Sequence, residues 1–263
     1  MSSSSSSSDI KCKQPSIALS IAMLRPSMVP IANAMEEFDR RMQQHHNVEE
    51  VKNDVLESLT SEGSKCVALG VENILSYYKE WEALQSQKEG GEYRAYDGDA
   101  SSTSSSAEFV IGTFSRSSTM KLIIERFNQS LSNMTNQQSA SSQQISKLRV
   151  VCSQSTPGNE GELMANDIPK ATWLTDQNFQ QQIQKGYINL VIVGADCILQ
   201  EGRGVVNKVG TAALAAVCKK SNVPIICCAD KWKRWDDVYP PPLENIFELI
   251  PGDLLDRVLV PSD

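Results

Sequence analysis

Apolar residues recur at three- and four-residue intervals from Pro15 to about Gln87, and beyond Ala107 they contract into short runs. The first pattern predicts helices. "PSIALSIAMLRPSMVPIANAMEEFDRR" is interrupted by Pro26 and Pro30, which are expected to break it into two. In "SKCVALGVENILSYYKEW" the residues Val67, Val71, Ile74, Leu75, Tyr78 and Trp81 fall on one helical face, expected to pack as part of a helical bundle. The second pattern alternates strands with helices: "EFVIGTF" then "STMKLIIERF", "KLRVVCSQ" then "GELMAN", "ATWLTD" then "QNFQQQIQ", "NLVIVGAD" then "VGTAALAAVCKK", and "VPIICCAD". Five such units predict an α/β, Rossmann-like parallel sheet covered on both faces. In that architecture ligands bind outside the carboxyl ends of the strands, which here carry Thr113 to Ser118, Gln154 to Gly161, Asp176, Asp196 and Asp230.

Two polar stretches divide the chain. "GGEYRAYDGDASSTSSSA" and "NQSLSNMTNQQSASSQQIS" have no core-forming pattern. The expected organisation is a disordered Ser-rich tail (1–14), a small helical domain (15–88), a low-complexity linker (89–107) and the Rossmann-like domain (108–263) with a polar insert near 129–146.

Composition narrows the function classes. The net charge of −7 comes without a basic block, so direct nucleic-acid binding is not expected. Seven cysteines, mostly inside apolar runs and without zinc or redox spacing, read as reduced core residues. The only histidines, His45 and His46, are adjacent, which leaves little for a metal site or a Ser-His-Asp triad. No metal and no cofactor are expected. The N-terminus lacks the apolar core of a signal peptide and no apolar run reaches membrane-spanning length, so a cytoplasmic location is expected. Trp232 and Trp235 read as an amphipathic loop packed on the sheet edge.

The candidate chemistry lies in "NLVIVGADCILQEGRGVVNKVGTAALAAVCKK". Asp196 closes an apolar strand, and Asn207 and Lys208 precede a helix whose first turn holds Gly210 and Thr211. Helix N-terminal amides attract anions and lysine adds a point charge. A carboxylate facing hydroxyls beside such a pole suits a sugar phosphate, although Asn-Lys-x-Gly-Thr lacks the spacing of a P-loop.

"VGADCILQEGRGVVNKVGT" resembles the signature of the family that joins the alpha, beta and delta subunits of translation initiation factor 2B to methylthioribose-1-phosphate isomerase and ribose-1,5-bisphosphate isomerase. "VIGTFSRSSTM" is similar to the family's first strand and Ser/Thr-rich loop, "VVCSQSTPGNEG" to its Glu-Ser/Thr-Arg-Pro-x-x-Gln-Gly segment, and "TWLTD" to the next strand. "NIFELIPGDLLDRVLV" is similar to its closing stretch, and "LRPSMVPIANAM", with Arg25, to its Arg-Pro helix start. The likeness runs from about Ser16 to Val260. It implies a NagB/RpiA/CoA-transferase-like sheet with a small N-terminal helical domain. It also implies a ligand site of Arg25, Thr113, Ser115, Arg116, Ser117, Asp196, Asn207, Lys208, Gly210 and Thr211.

Three positions depart from the family pattern. The isomerases carry a cysteine that works with the Asp of Gly-Ala-Asp in proton transfer; Ser115 stands in its place, and an unassisted hydroxyl does not ionise usefully. Thr156 stands where the family has an arginine, and Glu160 where glutamine is common, while Arg116 offers a replacement charge. The reading that follows is a non-catalytic binding or regulatory protein with a sugar-phosphate or nucleoside-monophosphate pocket, associating as a homodimer or a heteromer with related translation-factor subunits. The alternative is an aldose-1-phosphate to ketose-1-phosphate isomerase, with Asp196 as acid/base and Ser115 or water in the second role.

Overall fold

The computed structural model describes residues 29–44, 47–87, 108–137, 147–237 and 239–262. Arg25, Cys12, the Ser-rich tail and the 89–107 linker lie outside the described residues. Helix α1 (Val29–Met42) carries Pro30 in its first turn, where the missing N–H costs no intrahelical bond. Pro30 thus sits at a helix start, and the stretch before it, with Pro26, lies outside the described residues.

Helix α2 (Val48–Ser86) runs for 39 residues. The Asn47 side chain accepts from the amides of Glu49 and Glu50 at 3.1 and 3.3 Å, and those two carboxylates add favourable charge to the first turn. The expected stripe is the packed one. Val67, Ile74 and Tyr78 are buried, and Val71, Leu75 and Trp81 lie partly buried against the same cluster. The rings of Tyr78 and Trp81 meet Phe109 at 5.4 and 5.3 Å.

The larger sheet contains β1 (Glu108–Phe114), β2 (Lys147–Ser153), β3 (Thr172–Leu174), β4 (Leu190–Val193), β7 (Ile225–Cys228) and β10 (Arg257–Leu259). All pairs are parallel and the order is β10-β7-β4-β1-β2-β3. Alternation of side chains along β1 divides the core. Phe109 and Ile111 join α2, α3 (Ser118–Gln137) and α4 (Glu160–Asp167) on one face. Val110 joins α5 (Asp176–Gln184) and α6 (Thr211–Lys220) on the other.

A second sheet, ordered β8-β5-β6-β9, is built from β5 (Cys197–Leu199), β6 (Gly204–Lys208), β8 (Arg234–Trp235) and β9 (Phe247–Pro251). Strands β5 and β6 form an antiparallel hairpin, and β6 pairs with β9 so that Asn207 lies opposite Glu248 and Lys208 opposite Phe247. Trp232 packs with Ala34 and Val55 of the helical part, while Trp235 lies in β8 at the edge of the second sheet. The six described cysteines are free and buried.

Candidate functional site

Order in the parallel sheet reverses between β1 and β4: the chain proceeds through β2 and β3 on one side and through β7 and β10 on the other. A crevice opens outside the carboxyl ends of the two strands at such a reversal. Here it holds a cavity of about 450 Å³. Its walls are the loop from Phe114 to Thr119 after β1, Pro157, Gly158 and Glu160 after β2, and Gly194, Ala195 and Asp196 after β4. Asn207 and Lys208 at the end of β6, Lys233, and Ile246 and Phe247 complete them.

Asp196 enters the cavity because its amide donates to Val206 O at 2.8 Å, tying the start of the β5–β6 hairpin to the end of β4. Among the described residues its carboxylate accepts no hydrogen bond. Burial raises its proton affinity and the nearby Lys233 ammonium partly offsets this. The Lys233 ammonium donates to Ala195 O. Asn33 of α1 fixes that loop from behind, its side-chain amide donating to the carbonyls of Trp232 at 2.7 Å and Arg234 at 2.8 Å.

Behind the facing wall, Asp176, the first residue of α5, organises the loop after β2. Its carboxylate accepts from the Ser153 hydroxyl at 2.6 Å, the Ser155 amide at 2.7 Å, and both the amide and hydroxyl of Thr156. Burial opposes the charge, yet these bonds outweigh it and hold the carboxyl below its ordinary value. The Ser155 hydroxyl then accepts from the Ser115 amide at 2.6 Å and donates to Ser153 O at 2.9 Å. Ser115, at a left-handed φ of 65°, turns its hydroxyl to Glu160 Oε2 at 3.2 Å. The same carboxylate oxygen pairs with the Lys208 ammonium. Burial pulls Lys208 below its ordinary value, and Glu160 is the carboxylate placed beside it.

Of the residues singled out from the sequence, Ser115, Arg116, Ser117, Asp196, Asn207 and Lys208 surround this one cavity. Asn207 is buried, and among the described residues its side-chain amide makes no hydrogen bond. Arg116 reaches the wall while its guanidinium pairs with Asp167 at 2.8 Å. Ser117 caps α3, its hydroxyl oxygen accepting from the Met120 amide at 3.3 Å, and with Ser118 and Thr119 it presents that helix's N-terminal turn to the cavity.

Three expected residues lie apart from it. Thr113 is fully buried within β1. Glu248 of β9 fills the expected anion pole at the start of α6, its Oε1 accepting from the amides of Gly210 and Ala212 at 2.8 Å each. Thr211 is fully buried and donates to Lys208 O at 2.6 Å. The helix starts that border the cavity are those of α3, through Ser118 and Thr119, and of α4, through Glu160.

Lys233 was not among the sequence candidates. The available signal was its place just past the end of a fifth parallel strand, obscured by the two tryptophans around it. Chemically, the cavity offers one carboxylate of raised proton affinity, two lysines and several hydroxyls. Among the described residues no cysteine lines it. Among the described residues no group of His, Cys, Asp and Glu is placed to hold a metal ion, and no helix is long and apolar enough to cross a membrane.

Residues 7–238 match the model of the Initiation factor 2 subunit family. Methylthioribose-1-phosphate isomerase of Aquifex aeolicus is 44% identical over 68 residues, 26% of this chain and 14% of that protein. Ribose 1,5-bisphosphate isomerase of Methanocaldococcus jannaschii is 32% identical over 90 residues, 33% of this chain and 28% of that protein. The chain thus matches less than a third of the length of either relative. Among solved structures, the Pyrococcus horikoshii translation initiation factor eIF-2B superposes with a TM-score of 0.62 at 19% identity, covering 90% of this chain and 76% of that one. A chain of the tetrameric eIF2B-beta2-delta2 complex from C. thermophilum gives 0.59 at 14% identity, covering 92% and 71%. These likenesses establish the shared fold.

Proposed function

The chain belongs to the Initiation factor 2 subunit family, and from that premise we propose that it is a non-catalytic binding or regulatory member whose cavity takes a sugar phosphate or a nucleoside monophosphate. Asp196 accepts from ligand hydroxyls, Asn207 adds a neutral donor and acceptor, and Lys208, Lys233 and the N-terminal turn of α3 make the anion-friendly side. The observation that carries the reading is Ser115. The sequence likeness aligns it with the isomerase cysteine, and its hydroxyl is already donated to Glu160. Proton shuttling between adjacent carbons needs a group that both loses and regains a proton near neutral pH. An alcohol with no adjacent histidine does not do so. The C. thermophilum structure is of a complex of beta and delta subunits, and we propose that this chain likewise assembles with a second copy or a related subunit.

Isomerisation of an aldose 1-phosphate is the second reading. It is favoured by the raised proton affinity of Asp196 and by relatives named as isomerases. One experiment separates the two. Purified protein is assayed for turnover of ribose 1,5-bisphosphate and methylthioribose 1-phosphate, and the same compounds with nucleoside monophosphates are screened by thermal shift. The expected result is ligand-induced stabilisation that Lys208→Ala removes, without turnover. Turnover abolished by Asp196→Asn would overturn the proposal in favour of the isomerase.

A further inference from the structure

The cation that a ligand phosphate would seek already holds an anion of this chain. The Lys208 side chain is 8% exposed and ends on Glu160 Oε2, to which the Ser115 hydroxyl also donates at 3.2 Å. One carboxylate oxygen therefore receives a charge-assisted contact and a hydrogen bond from the two donors that the β1 loop and the end of β6 would otherwise offer a phosphate oxygen. Gly158, at φ 104°, brings the loop so close that a β-carbon there would stand 3.1 Å from Glu160 Oε1 and 3.2 Å from the Lys208 ammonium. The other cations of the wall are also committed, Arg116 to Asp167 and Lys233 to Ala195 O beside Asp196. Among the described residues, a dianion entering this cavity meets two wall carboxylates and no unengaged cation.

We propose that Glu160 is the specificity-determining residue of the cavity, an internal carboxylate competing with ligand phosphate for Lys208. The wild-type chain then adds hydroxyl contacts at Asp196 and Asn207 to a phosphate contact at Lys208 that is weakened by the displacement of Glu160. Glutamine at this position would keep the size and a hydrogen-bonding head group while removing the charge. Glu160 opens α4 and its side chain is 38% exposed, so it can swing into solvent by a rotamer change when a phosphate displaces it. This inference rests on the proposed ligand pocket.

The test is calorimetric titration of the full chain with ribose 5-phosphate at fixed pH and ionic strength, using wild type, Glu160→Gln, Lys208→Ala and the double variant. Glu160→Ala serves as a second removal of the carboxylate, and thermal unfolding reports whether each protein is folded. The expected result is binding about tenfold or more tighter in Glu160→Gln, a difference of roughly 1.4 kcal/mol, with the gain lost when Lys208 is alanine. Equal affinity in wild type and Glu160→Gln, with Lys208→Ala weaker than both, overturns the competitor role and leaves the pocket standing. Weaker binding in both Glu160 variants makes Glu160 a ligand contact and also overturns it. No binding by any folded variant removes the pocket and the proposal together.

Discussion

At Asp196, burial and charge act against each other, and the balance has a measurable sign. Its proton affinity is raised above the ordinary value of 3.8 by burial, with Lys233 working the other way. Below the unfolded value the group is protonated in both states and costs nothing; as pH rises through the higher folded value, the buried charge is imposed on the native state alone. Asp196→Asn is therefore expected to raise Tm at pH 7, by about 2–4 °C per kcal/mol relieved in a chain of this size. The advantage should shrink as pH falls toward 3.8. Calorimetric scans of both proteins across that range check it, and a variant less stable at pH 7 would mean that the carboxylate is a structural brace. The acid itself was legible in the sequence because it ends an apolar run, and so were Asn207, Lys208 and the serines after β1. Glu248 was not recognisable as the partner of Gly210 and Ala212: it lies 38 and 36 residues further along the chain and reaches the start of α6 only through the pairing of β6 with β9. Lys233 was missed for a similar reason, since its orientation depends on Asn33, nearly two hundred residues earlier in the chain.

Elements were read most reliably where hydrophobic spacing persisted. The strand–helix alternation after Ala107 corresponds to five strands of the parallel sheet, and the stripe from Val67 to Trp81 to the packed face of α2. The sixth strand, β10, spans Arg257–Leu259 and was not part of the alternation read from the sequence. Helix α3 continues to Gln137, into a stretch that reads as a polar insert because its sequence has few apolar residues at helical spacing. One helix position bears directly on the site. Gly161, in the first turn of α4, sits so close to the end of β2 that an added β-carbon would lie 1.6 Å from Ser153 O. A backbone oxygen cannot yield as a side chain can, so Gly161→Ala must push the first turn of α4 away from the end of β2 and shift Glu160 relative to Lys208. Thermal unfolding should show a loss of about 2 kcal/mol or more, together with weaker coupling between Glu160 and Lys208 in a double-mutant cycle. An unchanged Tm would show that the close packing of α4 on β2 is not as described.

Across the whole molecule the two sheets and the helical part converge on one place. The parallel sheet supplies its reversal point, the smaller sheet delivers Asn207 and Lys208, and α1 reaches across with Asn33 to hold the loop bearing Lys233. This convergence explains why the site was partly readable: the sheet's strand ends are a property of local alternation, whereas the second sheet and the helical support arise only from long-range contacts. The most direct measurement is a crystal structure of the chain with ribose 5-phosphate. The account predicts the sugar hydroxyls against Asp196 and Asn207, the phosphate against Lys208 and the first turn of α3, and the Glu160 side chain displaced toward solvent. A ligand bound elsewhere, or bound here with Glu160 still paired to Lys208 and the phosphate turned away, would contradict it.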